Sequence, residues 1–238
     1  MIRDSIKSLT YYEEYLEYEY NRIEKFENAI KEVIAVRGED EAVQATYSSV
    51  QSFYFNVIAA LYSSGALLDE IRNFFPKVIN IMKKAWDPND GYVEMLWMIS
   101  IGIMLDVPKE QMVQLEALLK KGKLEDYLIN YLIHSYNKEW PCQTNDFLFD
   151  QPYSLFSSII KAKDKVQAVD LLEKYLKESW YEGHDDMGWY DSHKNMEDTY
   201  NGYWSFESGA VLKILGLDDS SLKDVEYYPY DMVHYQES

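Results

Sequence analysis

The sequence predicts an all-α protein, a multi-helix array of antiparallel helical hairpins in two closely packed domains. Apolar residues recur at steps of three and four along most of the chain, which is the spacing of an amphipathic helix. Glycine and proline interrupt this pattern at intervals and indicate where helices end. The 238 residues are 47% hydrophobic, which is enough to build a proper core and argues against disorder.

The front of the chain is predicted to form three long helices. Gly38 is the expected stop of the first helix, and Gly65 ends the second. Pro76 falls inside the third and is expected to kink or split it, because proline lacks the N–H that the helix needs. The three segments run from Leu9 to Val33, from Glu41 or Ala45 to Ser63, and from Leu67 to Trp86.

Shorter helices separated by turns are predicted for the rest of the chain. Asp87–Gly91 is a strong loop signal, and the apolar run Met95–Leu105 is too short to span a bilayer and indicates a buried helix. Pro108 suits the first position of a helix. The predicted helices are Tyr92 to Leu105, Pro108 to Lys120, Leu124 to Tyr136, Tyr153 to Lys161 and Lys165 to Ser179, with Trp140 to Pro152 as a turn-like stretch. A break at 121–123 divides the chain into domains 1–121 and 122–238.

The charge balance restricts the kind of partner that the protein can have. The chain has 41 acidic and 23 basic residues, a formal charge of −18, which argues against direct binding to nucleic acid or to an anionic membrane. It favours a basic partner, including a protein that itself binds nucleic acid, although acidity also serves solubility. Cys142 is the only cysteine, so no internal disulfide can form. The first 20 residues lack the apolar region of a signal peptide, and a cytoplasmic location is expected.

The most unusual segment is an acidic, aromatic tail from Trp180 to Ser238. It contains 13 acidic residues against three lysines, and the whole chain has 22 tyrosines. Tyrosine rings supply rigid contact area and carboxylates supply steering, a combination that suits capture of a positively charged partner. A solvated acidic face is the alternative. The candidate partner-facing residues are Glu182, Asp185, Asp186, Asp191, Glu197, Asp198, Asp218, Asp219, Asp224, Glu226, Tyr227, Tyr228, Tyr230 and Asp231.

Other residues of the tail are predicted to lock it internally. Glu207 is expected on a helix, three residues after Trp204 and on the same face as its apolar residues. A carboxylate in that position is partly buried and needs donors, for which Tyr190, Tyr200, His193 or a tryptophan indole are candidates. The predicted structural lock comprises Trp180, Trp189, Tyr190, His193, Tyr200, Trp204 and Glu207.

Enzymatic activity is the first alternative. His184, His193 and Glu207 are side chains of metal-ligand type, and a metal-dependent hydrolase could use them. The spacing of the two histidines matches no metal motif with a mechanism, and no nucleotide-binding or serine-nucleophile motif is present. We therefore predict no catalytic residue, metal or cofactor. A helical adaptor for another basic protein is the second alternative.

Five stretches of the sequence resemble the PoNi family of bacterial immunity proteins. They are WYEGHDDMGWYDSHK and YNGYWSFESGAVLKILGLDDSSLKDVEYYPYDM in the tail, and RDSIKSLTYYEEYLEYEYNRIEKF, YSSVQSFYFNVIAALYSSGALLDEI and PNDGYVEMLWMISIGIML in the front half. The resemblance implies an all-helical, non-enzymatic antagonist of a PoNe-type nuclease toxin, a DNA-cutting protein with a basic DNA-binding surface. It assigns no contact residues. The high tyrosine content also permits a homodimer.

Overall fold

A computed structural model describes residues 2–141 and 144–237, and Cys142 lies outside these ranges. Within the described ranges the chain forms ten α-helices, short turns of 3₁₀- and π-helix, and no β-strand. The prediction of an all-α fold is confirmed. None of the helices in the described part is both long and apolar enough to cross a membrane.

Contacts within the chain divide it into two compact units. The first unit consists of the residues up to Gly91 together with Ser192–Tyr203, and the second of Tyr92–Asp191 together with the residues from Trp204 onward. Each unit therefore consists of two separate stretches of the chain, and no single boundary in the sequence divides the two units. The boundary between domains 1–121 and 122–238 stays a prediction from the sequence pattern.

Three long helices form the frame of the first unit. They are α1 (Leu9–Arg37), α2 (Glu41–Ser64) and α3 (Leu68–Ala85). Helix α1 packs on α2 and α2 packs on α3, and connections of three residues make the neighbours antiparallel. The predicted ends at Gly38 and Gly65 are confirmed, and both glycines have positive φ. Helix α3 is continuous through Pro76, so the proline does not split it, and the neighbouring Phe75 and Val78 are fully buried.

The segment Ser192–Tyr203 completes the first unit through its polar groups. The Tyr200 hydroxyl donates to the carboxylate of Asp4, and the Tyr11 hydroxyl donates to the backbone carbonyl of Tyr200 at 2.8 Å. The Ser63 hydroxyl donates to the carbonyl of Asn201, also at 2.8 Å. These bonds join residues far apart in the sequence, so no local pattern predicted them.

The second unit surrounds one apolar helix, α4. Its helices are α4 (Tyr92–Met104), α5 (Lys109–Gly122), α6 (Tyr127–Tyr136), α7 (Leu155–Lys161), α8 (Lys165–Tyr175), α9 (Phe206–Leu215) and α10 (Tyr230–Val233). Helix α4 packs against α5, α6, α9 and α10, and Met95, Leu96 and Ile99 are inaccessible to solvent. A helix that is apolar on all sides is buried on all sides, so the buried helix predicted from Met95–Leu105 is confirmed.

Two local details of the second unit differ from the prediction. Pro108 lies one residue before α5, at the capping position, and so precedes the first helical residue that was expected for it. The break predicted at 121–123 is observed as a helix end, with Gly122 as the last helical residue and Lys123 in the left-handed conformation. Helix α8 ends at Tyr175 and continues as a turn of π-helix, Leu176–Trp180, where a regular helix was predicted.

Helix α9 lies unusually close to its neighbours because it contains Gly209. A Cβ atom at this position would come within 2.6 Å of the Met104 sulfur and 2.7 Å of a ring carbon of Pro229. Such separations are shorter than any real carbon contact, so only glycine fits without rearrangement. This close approach fixes the start of α9 deep in the core of the second unit.

Candidate functional site

A ladder of aromatic rings lies in the second unit and extends from the core to half-buried positions. Trp180 is 1% exposed and stacks on Trp189, with ring centroids 5.5 Å apart. The centroid of the Tyr227 ring lies 4.8 Å from that of Trp180. The Tyr181 ring is nearly parallel to the Tyr227 ring, with centroids 5.5 Å apart. Tyr190 stacks on Tyr181 at 4.5 Å. We call Tyr181, Tyr190 and Tyr227 the tyrosine plate, since their rings are partly accessible and Tyr181 stacks on each of the other two.

The plate is positioned by the π-helical turn and by two carboxylates. The wider turn at Leu176–Trp180 changes the direction in which the following side chains leave the backbone. The Tyr181 hydroxyl donates to Asp191 at 2.8 Å and accepts the Asp191 N–H at 3.2 Å. The Tyr190 hydroxyl donates to Glu182 at 3.2 Å. Tyr181 was not among the residues predicted from the sequence, although its place between Trp180 and Glu182 was a usable signal.

Two residues of this region have a backbone conformation that L-residues rarely adopt. The φ angle is +56° at Asp191 and +68° at Tyr227. An aromatic residue in the left-handed region carries strain, which persists only where other contacts hold it. For Tyr227 those contacts are the Ser205 N–H, which donates to its carbonyl at 2.8 Å, and the two flanking rings. The position of the Tyr227 ring is therefore held at the energetic cost of a strained backbone.

The predicted partner-facing residues differ in exposure. Asp191, Tyr227 and Tyr230 are half-buried, and Asp219 and Tyr228 are buried. The exposed residues are Glu182, Asp185, Asp186, Glu197, Asp198, Asp218, Asp224, Glu226 and Asp231. Of these, Glu197 and Asp198 belong to the first unit and the others to the second.

Asp219 and Tyr228 hold the end of the chain in place. One Asp219 oxygen accepts the Tyr228 hydroxyl at 2.8 Å, and the other lies 2.8 Å from the Nε2 atom of His234. Both residues are 3% exposed. In this position neither side chain can reach a partner, so their expected place on the partner-facing surface is corrected to an internal support. The turn around Asp218 buries one of the two neighbouring aspartates and exposes the other.

We expect Asp219→Ala to lower the free energy of unfolding by about 2 kcal/mol, because it leaves a buried Tyr228 hydroxyl without its acceptor. Asp224→Ala is the matched control, since Asp224 is exposed and no hydrogen bond of its side chain is seen in the described part. Thermal and denaturant unfolding of both variants measure the difference. Equal stability of the two variants would show that the Asp219 contacts contribute nothing.

Glu207 is the most completely buried carboxylate near the ladder. It lies in the first turn of α9, is 0% exposed, and one oxygen accepts the Tyr175 hydroxyl at 3.0 Å and the Ser205 hydroxyl at 2.6 Å. Burial raises the pKa of Glu207, while Ser205, Tyr175 and Trp180 oppose the shift. The donors, Tyr175 and Ser205, differ from the predicted Tyr190, Tyr200 and His193, and no hydrogen bond from a tryptophan indole to Glu207 is seen among the described residues. Trp204 precedes the helix instead of sharing its face.

The residues of the predicted lock form two clusters. Trp180, Trp189, Tyr190, Trp204 and Glu207 belong to the second unit. His193 and Tyr200 belong to the first unit, where the Nδ1 atom of His193 lies 2.8 Å from the hydroxyl of Tyr203. The Tyr200 and Tyr203 rings meet edge to face at 4.8 Å. The single lock was inferred from closeness in sequence, whereas the chain passes from one unit to the other between Asp191 and Ser192.

His184 takes part in a hydrogen-bonded network of the core. Its Nδ1 atom lies against the carbonyl of Trp180, and its Nε2 atom is 2.7 Å from the hydroxyl of Tyr153. Burial lowers the pKa of His184, which favours the neutral ring. Across residues 2–141 and 144–237, no group of three or more His, Cys, Asp or Glu side chains could hold a metal ion.

Comparison with protein families assigns both parts of the sequence. Residues 3–117 match the N-terminal model of the PoNe immunity protein (PoNi), and residues 124–232 match the C-terminal model of PoNe immunity proteins (PoNi). The chain belongs to the PoNi family. Membership implies an immunity role against PoNe nuclease toxins, and it makes a nuclease toxin the kind of partner that this PoNi protein binds. The family consists of inhibitors that are typically non-enzymatic.

The fold of this PoNi protein is similar to that of a protein solved by crystallography, PA2201 from Pseudomonas aeruginosa. The TM-score is 0.64 at 14% sequence identity, and the match covers 99% of this chain and 98% of that one. At this identity the likeness concerns the fold alone. No curated protein matches the sequence.

Proposed function

We propose that this PoNi protein neutralises one cognate nuclease by forming a stoichiometric complex through the second unit. The contact surface consists of the tyrosine plate and the exposed acidic residues of the same unit. The observation that carries the proposal is an ordered, half-accessible stack of three tyrosines, two of which lie on a stretch, 181–191, that has four carboxylates and no lysine or arginine. These carboxylates are Glu182, Asp185, Asp186 and Asp191.

Charge complementarity supports this choice of partner. A nuclease that cuts DNA needs a basic surface to bind phosphates, and that surface attracts a protein of formal charge −18. Asp185 and Asp186 are exposed, and neither has an ion-pair partner among the described residues. Their charges are therefore available to steer and pair with a basic protein.

The plate supports tight binding because its rings are ordered before the partner arrives. Binding ordinarily costs about 0.5–1.5 kcal/mol for each flexible side chain that becomes immobile. Tyr181 is already held by two stacking contacts and by Asp191, so it loses little freedom in a complex. Tyrosine is also enriched among the residues that dominate interface energetics.

Calorimetric titration tests the proposal. The partner is a catalytically inactive variant of the cognate PoNe-type nuclease, and we expect one binding site per molecule, with affinity that falls as salt rises. Absence of binding, with both proteins folded, would contradict the proposal. Protection of DNA from the active nuclease by far less than one equivalent of this protein would also contradict the proposal, because a stoichiometric inhibitor cannot act repeatedly.

A further inference from the structure

Tyr190 is the outermost ring of the tyrosine plate. One face stacks on Tyr181 at 4.5 Å, with an angle of 30° between the rings, and the hydroxyl donates to the exposed Glu182. Within the described part of the chain, no other ring and no cation lies over Tyr190. The Tyr190 side chain is half-buried, so part of its ring reaches solvent, and the Glu182 carboxylate lies at its hydroxyl.

Elsewhere this protein covers aromatic faces with its own cations. The Arg22 guanidinium lies 3.6 Å from the centre of the Phe53 ring, Arg3 lies 4.7 Å from that of Tyr62, and the Lys120 ammonium 4.9 Å from that of Trp140. The stretch from Tyr181 to Asp191 contains no lysine or arginine. Tyr190 and Glu182 therefore supply the ring and the negative charge of such a site on a stretch of chain that has no lysine or arginine of its own.

We infer that the accessible part of the Tyr190 ring, together with Glu182, receives one arginine side chain of the bound nuclease. A guanidinium can lie flat on a ring and donate two hydrogen bonds to a carboxylate at the ring edge, whereas the ammonium of lysine acts as a point charge. Glu182 accepts from Tyr190 through one oxygen, so its other oxygen remains available for the guanidinium. The inference rests on the proposed function and names the chemical group that this part of the surface recognises.

The test combines substitutions on both proteins, with calorimetry against the inactive nuclease. Tyr190→Ala is expected to weaken binding about tenfold through loss of the ring face. Tyr190→Phe, which keeps the face, should bind within about twofold of the original protein. Tyr18→Ala is the control, since Tyr18 is 56% exposed on α1 of the first unit. Thermal unfolding of each variant verifies that the fold is retained.

Double-mutant cycles identify the arginine. Each surface arginine of the nuclease is changed to lysine, and one such change should weaken binding to the original protein but not to Tyr190→Ala. The inference is overturned if no arginine couples to Tyr190, or if Tyr190→Phe binds as weakly as Tyr190→Ala. Glu182→Gln should couple to the same arginine. Failure of the proposed function would look different, because the unsubstituted protein itself would not bind.

Discussion

Glu207→Ala is expected to lower the free energy of unfolding of this PoNi protein by about 3 kcal/mol. The change removes the acceptor of two buried hydroxyls, those of Tyr175 and Ser205, and leaves a cavity at the start of α9. The Tyr175 hydroxyl would then be buried without its acceptor, while the Ser205 hydroxyl keeps only the Ser208 hydroxyl at 2.6 Å. Denaturant unfolding measures the loss, and an unchanged unfolding midpoint would contradict the role of Glu207 as an anchor.

Glu207→Gln separates the shape of this side chain from its charge. Because burial raises the pKa of Glu207 above its ordinary 4.5, the folded state binds more protons than the unfolded chain at pH values just above 4.5. The contribution of Glu207 to stability is therefore present below pH 4.5 and falls as pH rises through the folded pKa. Glutamine does not titrate, so this variant should lose less stability than alanine and depend less on pH. If the stability of Glu207→Gln depended on pH in the same way as that of the original protein, the raised pKa of Glu207 would be contradicted.

The largest effect on partner capture is expected from reversing three exposed charges. We expect Asp185→Lys, Asp186→Lys and Glu226→Lys, combined in one variant, to slow association with the nuclease about tenfold or more at low salt. All three side chains are exposed in the second unit, and no hydrogen bond holds them to the described residues. Stopped-flow association measured over a range of salt concentrations tests this expectation. The association rates of the original protein and of the variant should converge near 1 M salt, where the Debye screening length is about 3 Å.

A matched control distinguishes local steering from net charge. Glu13, Glu14 and Glu17 are exposed on α1 of the first unit, and their reversal to lysine changes the net charge by the same amount. We expect this control variant to associate faster than the variant with reversed charges in the second unit. Equal slowing of both variants would mean that the acidic residues of the second unit are not the surface that the nuclease meets.

Sequence pattern was sufficient for the helices whose signals are local. The apolar period of α1 and the glycines at 38 and 65 predicted where the first two helices end, and these ends are observed. The π-helical turn at Leu176–Trp180 was not predictable, since the spacing of its apolar residues also fits a regular helix. The placement of Ser192–Tyr203 in the first unit depends on bonds such as Tyr200 to Asp4, which join distant parts of the chain.

The candidate site shows the same division between local and distant information. Burial of Glu207 followed from the apolar face of its helix, but its donor Tyr175 lies 32 residues earlier and has no sequence signal. Asp218 and Asp219 are alike in sequence, and only the turn decides that the second points inward to Tyr228 and His234. Composition indicated an acidic, tyrosine-rich surface without showing that three of its rings stack.

Titration of DNA cleavage tests the central claim most directly. The active cognate nuclease is mixed with DNA and increasing amounts of this PoNi protein, and the cut fraction is measured at a fixed time. The proposed complex predicts that cleavage falls in proportion to added protein and ends near one equivalent. Cleavage that continues unchanged in the presence of excess folded protein would contradict direct neutralisation of the nuclease.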